Sequence, residues 1–239
     1  ESSEGIAIIK ENIAIRYKLG TPVADVLNLN DYIYELAITA NRPDGMSLVG
    51  IAREISALLE TNFHFPEINH KYKINKIDNF VLCPEAMTSN CFYTITSIDR
   101  LNGKKLSPEW IKDRIEKSGI KANNLLVDLT NYILLEQGQP LHAFDKDKLS
   151  ELTGKEVLPQ DFSIRKAYKN ETLLCLDGKN YKLNENITII ACCNKPVAIA
   201  GVIGGLESAV CDTTTSIYLE AAVFNPVSIR KSSKEIGVR

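Results

Sequence analysis

Residues 172–200 read TLLCLDGKNYKLNENITIIACCNKPVAIA. Short apolar runs alternate there with turn residues. Asp177-Gly178 separates Thr172–Leu176 from Tyr181–Leu183, and Asn194-Lys195-Pro196 separates Ile187–Ala191 from Val197–Ala200. Runs of this length, bounded by Asn, Asp, Gly and Pro, predict strands joined by tight turns. The strand pattern starts near residue 156 and closes with Ile217–Val223, after which Asn225-Pro226 reads as a helix start.

Upstream of residue 156 the signals are helical. Ser107-Pro108-Glu109 places a cap, a first-turn proline and an acid at the positive end of a helix dipole, and Gly119 ends that helix. Asn123 or Asn124 opens the next helix, which runs to Gln137-Gly138 with Pro140 behind it. A strand pair is expected over about 81–100, and the uneven, polar segment 61–79 reads as a linker. Before it, Ser47 caps a helix whose Leu48, Ile51, Ala52, Ile55, Leu58 and Leu59 keep the i, i+3, i+4, i+7 spacing. Residues 33–38 look like a strand entering the turn Asn41-Arg42-Pro43-Asp44-Gly45, and residues 1–27 like short strands and a turn. Helices followed by a strand-rich half predict an α+β fold: a small N-terminal mixed module, then a larger helix-plus-antiparallel-sheet module.

The composition of the 239 residues is that of an ordinary folded protein, with 44% hydrophobic and 24% charged residues. It excludes a disordered, collagen-like or disulfide-scaffold chain, and it fits two domains. With 28 basic against 30 acidic residues, no bulk charge draws the chain to nucleic acid or to an anionic membrane. The six cysteines form no C-x-x-C pair. The vicinal Cys192-Cys193 could be a zinc or redox site, but its apolar setting favours reduced cysteines acting as small hydrophobes. No signal peptide or apolar span is recognisable, so a cytoplasmic protein is expected. The chain begins Glu1-Ser2-Ser3 and ends on the basic run Ile229–Lys234 and Glu235–Arg239, which reads as a piece of something longer.

Several residues look chemical. Asp128, Thr130 and Asn131 interrupt an apolar helix, as a solvated stripe or as a face turned to something polar. In Gly138-Gln139-Pro140-Leu141-His142-Ala143-Phe144-Asp145, His142 follows a Pro-constrained turn between apolar neighbours. It could bond a ligand hydroxyl or a water, or be a core histidine satisfied by backbone. His64 and His70 read as surface residues. Ala200-Gly201-Val202-Ile203-Gly204-Gly205 lacks the residues of a phosphate loop, and is either a tight bend or a place where a ligand approaches backbone closely. Glu220 sits in Ile217-Tyr218-Leu219-Glu220-Ala221-Ala222-Val223-Phe224, a strand apolar on both faces. A carboxylate there needs an internal cation or a ligand hydroxyl. No catalytic triad and no metal-ligand spacing can be assembled.

Taken together these motifs are similar to those of the beta subunit of bacterial phenylalanyl-tRNA synthetase. The match includes Asn41–Asp44 with Leu48–Glu54, Leu126–Tyr132, Gly138–Asp145, Ala200–Gly205 and Leu219-Glu220, in order and spacing along essentially the whole chain. The match departs around Glu85–Tyr93, where that family more often carries basic residues. The resemblance implies an internal fragment. Residues 1–27 would be the tail of an inserted OB-fold-like module, 28–70 the remainder of the first small module, and 71–239 the paired B-three and B-four modules. It also implies post-transfer editing, the hydrolysis of tyrosine wrongly attached to tRNA(Phe). In that role Glu220 and the backbone N–H near Gly201 would recognise the tyrosine hydroxyl, Pro140 would help form the pocket, and His142, Thr130 and Asn131 would lie near the ester and the terminal adenosine. The implied partners are the aminoacylated 3′ end of tRNA(Phe) and an alpha subunit in an alpha2-beta2 enzyme, with no membrane. No cofactor or metal is expected in this fragment, while ATP and magnesium would serve the whole synthetase. A structural, tRNA-docking fragment without hydrolysis is the competing reading.

Overall fold

The computed structural model describes residues 5, 8–9, 11–65 and 92–238. Most of the expected linker, the first half of the expected strand pair, and His70, Cys83 and Cys91 lie outside the described residues. Two compact units are present, Glu1–Ala37 and Ile38–Arg239.

In the first unit the expected short strands are replaced by two single helical turns, α1 (Glu11–Ala14) and α2 (Val23–Val26). Pro22 fixes the backbone ahead of α2, and Leu27 closes that turn by donating its N–H to Val23 O. The strand expected at 33–38 is also corrected. That segment joins no ladder, and Tyr32, Ile33, Tyr34 and Leu36 are exposed. An alternating run without a partner strand cannot satisfy its backbone groups by pairing.

The second unit opens with a 3-10 turn at Pro43–Met46 and α3 (Leu48–Leu58). Ser47 caps α3 as expected, its Oγ accepting from the Gly50 N–H at 3.0 Å. Arg42 ties turn to helix, bonding Asp44 at 2.9 Å and Glu54 at 2.6 Å. Next come β1 (Phe92–Ile98), α4 (Glu109–Lys117), α5 (Leu125–Gln137), β2 (Leu141–Asp145) and α6 (Lys146–Thr153). The strand-rich half holds β3 (Phe162–Lys166), β4 (Thr172–Leu174), β5 (Asn180–Lys182), β6 (Thr188–Cys192), β7 (Lys195–Ile199), β8 (Ile203–Gly204) and β9 (Ile217–Val223), and α7 (Pro226–Ile236) follows. The α+β expectation is met.

One local expectation changes. Pro108, not Ser107, occupies the cap of α4, and Ser107 instead donates its hydroxyl to Asp128 in α5. Of the two asparagines expected to open α5, Asn124 is the cap, its Oδ1 accepting from the N–H groups of Leu126 and Val127. Gly138 ends α5 in the left-handed region, φ 77°.

The sheets are antiparallel, in the orders β1-β9-β2 and β3-β6-β7-β8, with β4-β5 as a separate hairpin. Successive side chains of β9 point to opposite sides of its sheet. One side carries Ile217 and Leu219, which pack with Ala143 and with Leu126 of α5. The other carries Tyr218, which packs with Tyr93, Phe144 and Phe162 against Ile190 and Cys192 of the second sheet. The far face of that second sheet, Ile189, Ala191 and Ile199, meets Leu173, Cys175 and Leu183 around the hairpin. The order of layers is therefore helices, first sheet, second sheet, hairpin. Each large apolar side chain buried between the sheets contributes about 1.5–3 kcal/mol, and this interior fixes where the sheets part to leave a cavity.

Candidate functional site

The cavity lies between the sheets and has a volume of about 600 Å³. Pro140 and His142 of β2 and its entry, Glu220 in the middle of β9 and Phe224 just after it, and Gly201 in the β7–β8 turn form its walls, with Arg230 of α7 alongside. Register brings the polar pair together. Glu220 stands opposite His142 on one side and Ile95 on the other, so the three side chains share one face of the first sheet. That face is otherwise mostly apolar, continuing in Tyr93, Phe144 and Tyr218. The Pro140 turn is held to β9 by Gln139, whose Nε2 donates to the carbonyl of Ala222 at 3.2 Å.

Glycines shape two walls. Gly201 is in the left-handed region, φ 63°, and a Cβ there would come to 3.1 Å from both Phe224 and Ile229. At Gly204 a Cβ would lie 2.6 Å from His142 Cε1 and 2.9 Å from Nε2, so the imidazole rests directly on backbone. On its other side the ring meets Phe144 edge to face, with centroids 4.5 Å apart.

Burial dominates the electrostatics. It pushes the Glu220 carboxyl up to about 8 and the His142 imidazole down to about 4. At neutral pH both groups are therefore uncharged. Glu220 Oε2 and His142 Nε2 are sealed from solvent without a hydrogen-bond partner, an arrangement that costs about 1–3 kcal/mol for each group. The internal cation considered for Glu220 is not found among the described residues. Two residues with unpartnered polar atoms in the lining of one largely apolar cavity are suited to a ligand that carries an apolar body and a hydroxyl.

Of the six residues expected at the site, the fold brings Pro140, His142, Gly201 and Glu220 to the cavity wall. Thr130 and Asn131 lie on α5 and do not line it. Thr130 donates its hydroxyl to the carbonyl of Val127 at 2.8 Å. Asp128, in the same polar triplet, is a buried structural node. Among the described residues no cluster of three or more His, Cys, Asp or Glu could hold a metal ion, and no helix is long and apolar enough to cross a membrane. The described cysteines, Cys175, Cys192, Cys193 and Cys211, are free thiols, and Cys175 and Cys192 are buried.

The B3/4 domain family matches residues 89–239, which include the whole cavity. The chain belongs to that family. It is similar along its full length to phenylalanine–tRNA ligase beta subunits. It is 72% identical over 239 residues to that of Prochlorococcus marinus (strain MIT 9312). To that of Synechococcus sp. (strain CC9605) it is 44% identical over 239 residues. The chain spans 29% of the length of each of these relatives. The resemblance read from the motifs is thus borne out. A solved structure of an N-terminal fragment of the phenylalanyl-tRNA synthetase beta-subunit from Pyrococcus horikoshii aligns with 87% of this chain and 64% of that one, at 17% identity and a TM-score of 0.41.

Two wall residues of this B3/4 domain escaped the sequence reading. Gly204 was legible only as part of a glycine-rich bend, since nothing in that bend tells which glycine a histidine will rest on. Arg230 lies in the basic run of α7, where nothing local separates it from Lys231 and Lys234 until the helix is docked.

Proposed function

We propose that this B3/4 domain hydrolyses the ester of tyrosine wrongly attached to tRNA(Phe), as the editing part of a phenylalanine–tRNA ligase. The observation that carries the reading is Glu220, a buried carboxyl with an unpartnered oxygen, set opposite His142 in a cavity with apolar walls. A synthetic pocket for phenylalanine rejects a substrate with one added hydroxyl by only about a hundredfold. A second pocket that offers a partner to that hydroxyl separates the two in the opposite sense. Tyrosine satisfies Glu220, whereas phenylalanine leaves it buried and unpaired.

The chemistry requires little else of the protein. A water oxygen bonds to the ester carbonyl carbon, the bond from that carbon to the ribose oxygen breaks, and the ribose oxygen takes up a proton. An aminoacyl ester is already activated, so positioning and electrostatics supply the acceleration, which suits a site without a triad. Uncharged His142 can hydrogen-bond the ester or the attacking water through Nε2. Gly201 lets backbone approach the tyrosyl ring, and Pro140 fixes the turn that delivers His142. Thr130 and Asn131, outside the cavity wall, are assigned to the nucleotide and not to the tyrosine. The alpha subunit, the alpha2-beta2 assembly, ATP and magnesium belong to the same reading of the whole protein. So does the assignment of residues 71–239 to the paired module.

The test is deacylation of Tyr-tRNA(Phe) by the intact synthetase carrying Glu220→Ala. The expected loss is at least about tenfold, corresponding to one lost hydrogen bond of about 1.4 kcal/mol, with slow hydrolysis of Phe-tRNA(Phe) not reduced. Clearance of Tyr-tRNA(Phe) at the wild-type rate would overturn the reading.

A further inference from the structure

Helix α7 presents three stripes with different neighbours. Ile229, Ser232 and Ile236 face inward: the two isoleucines pack on the clusters either side of the second sheet, and Ser232 Oγ accepts from the Thr188 N–H at 3.1 Å. Lys231 and Lys234 line a separate hollow with Asn186 and Glu235. Between these stripes Pro226, Arg230 and Ser233, spaced i, i+4, i+7, line the editing cavity, where Ile229 of the inward stripe joins them.

Arg230 differs from the other described wall residues in charge: it is the single cation in a lining whose single acid is Glu220. It is exposed, as Pro140, Gly201 and Pro226 are, which sets it at the cavity's open side. It is also unpaired: no ion pair among the described residues includes it. Its helix neighbours at three and four residues are Pro226, Val227, Ser233 and Lys234, none of them acidic. The cavity therefore runs from an uncharged interior to a cationic mouth, which fits a ligand that is apolar with a hydroxyl at one end and anionic at the other.

We propose that Arg230 binds the phosphate 5′ to the aminoacylated terminal adenosine, clamping the RNA end while the amino acid enters toward Glu220. The inference rests on the editing reading and extends it to the nucleotide. A phosphate is accepted at an exposed mouth at small desolvation cost, whereas the interior would exact a large one. A guanidinium fork can take two phosphate oxygens at once, which also fixes the orientation of the ribose.

The experiment uses the intact synthetase and two small substrates, 3′-O-tyrosyl-adenosine and its 5′-monophosphate. For the wild type the phosphate should lower KM about tenfold, the scale of one charge-assisted hydrogen bond. Arg230→Ala should bring the ratio of the two KM values to near one, Arg230→Lys should retain part of it, and Lys231→Ala, altering a cation on the same helix that faces the other hollow, should leave it intact. A phosphate advantage that survives in Arg230→Ala, or one absent from the wild type, overturns the assignment of Arg230 while leaving editing in place. Failure of the wild type to hydrolyse either compound or Tyr-tRNA(Phe) removes the editing reading, and the inference with it.

Discussion

Asp128, at the junction of α4 and α5, and Glu220, at the cavity, are both buried acids, yet the fold treats them in opposite ways. Asp128 is 0% exposed and accepts from the Ser107 hydroxyl and from the Asn123 N–H at 2.7 Å. Asp145, 3% exposed, is similarly provided for. It accepts from Thr214 Oγ1 at 2.6 Å and from the N–H groups of Asp147 and Lys148 at the start of α6. Glu220, 6% exposed, keeps Oε2 without a partner. Where an acid holds the architecture, neighbouring donors are built in. The acid left open lies where the sheets part, and its missing partner is the feature a ligand can supply.

The comparison breaks most visibly in stability. Asp128→Ala strands a buried hydroxyl and a backbone N–H, and should cost about 3 kcal/mol. Glu220→Gln, at a site with no partner to lose, should cost under about 1 kcal/mol. Urea denaturation of the two variants separates the cases, and equal losses would mean that Glu220 is also structural. Gly204→Ala comes next. Its methyl would press on His142, so the ring must turn away from its place opposite Glu220. A stability loss of about 1–2 kcal/mol should accompany a fall in Tyr-tRNA(Phe) deacylation. Unchanged deacylation would show that the imidazole's position is immaterial.

Sequence legibility followed the same division. β9 falls on Ile217–Val223 as expected, and Asn225 caps α7 as expected, because a strand apolar on both faces and an Asn-Pro start are local signals. β2 was not anticipated. Leu141–Asp145 is short, contains His142, and becomes a strand only by pairing with β9, 72 or more positions away in sequence. The same pairing sets His142 opposite Glu220, so each residue could be singled out from sequence but not their adjacency. Ser107 misled for a related reason. Its hydroxyl oxygen could accept from the first N–H groups of a helix, but in the fold the hydroxyl donates to the buried Asp128 of α5, a partner 21 positions away that no local signal announces. Thr130 and Asn131 shared the polarity of the site residues without sharing their sheet, and only the docking of α5 separates them.

The smallest expected effect lies in the pH dependence of stability, and it tests the open acid most directly. Burial holds the folded Glu220 at about 8 against an ordinary 4.5, so between these values the native chain keeps a proton that the unfolded chain has released. Stability therefore falls as pH rises across that window. His142 acts in the opposite direction. Its folded value of about 4 against 6.5 makes stability fall as pH drops through that range. The two contributions oppose each other from about 4.5 to 6.5, and above 6.5 Glu220 acts alone. Thermal denaturation should then show wild-type stability declining by about 1 kcal/mol per pH unit above 6.5, a decline that Glu220→Gln removes. Below 6.5 the same variant should be the more acid-sensitive of the two, because the contribution of His142 is no longer offset. A wild-type profile flat from pH 6.5 to 8 would mean that Glu220 is charged and paired in the free protein, and its contrast with Asp128 would disappear.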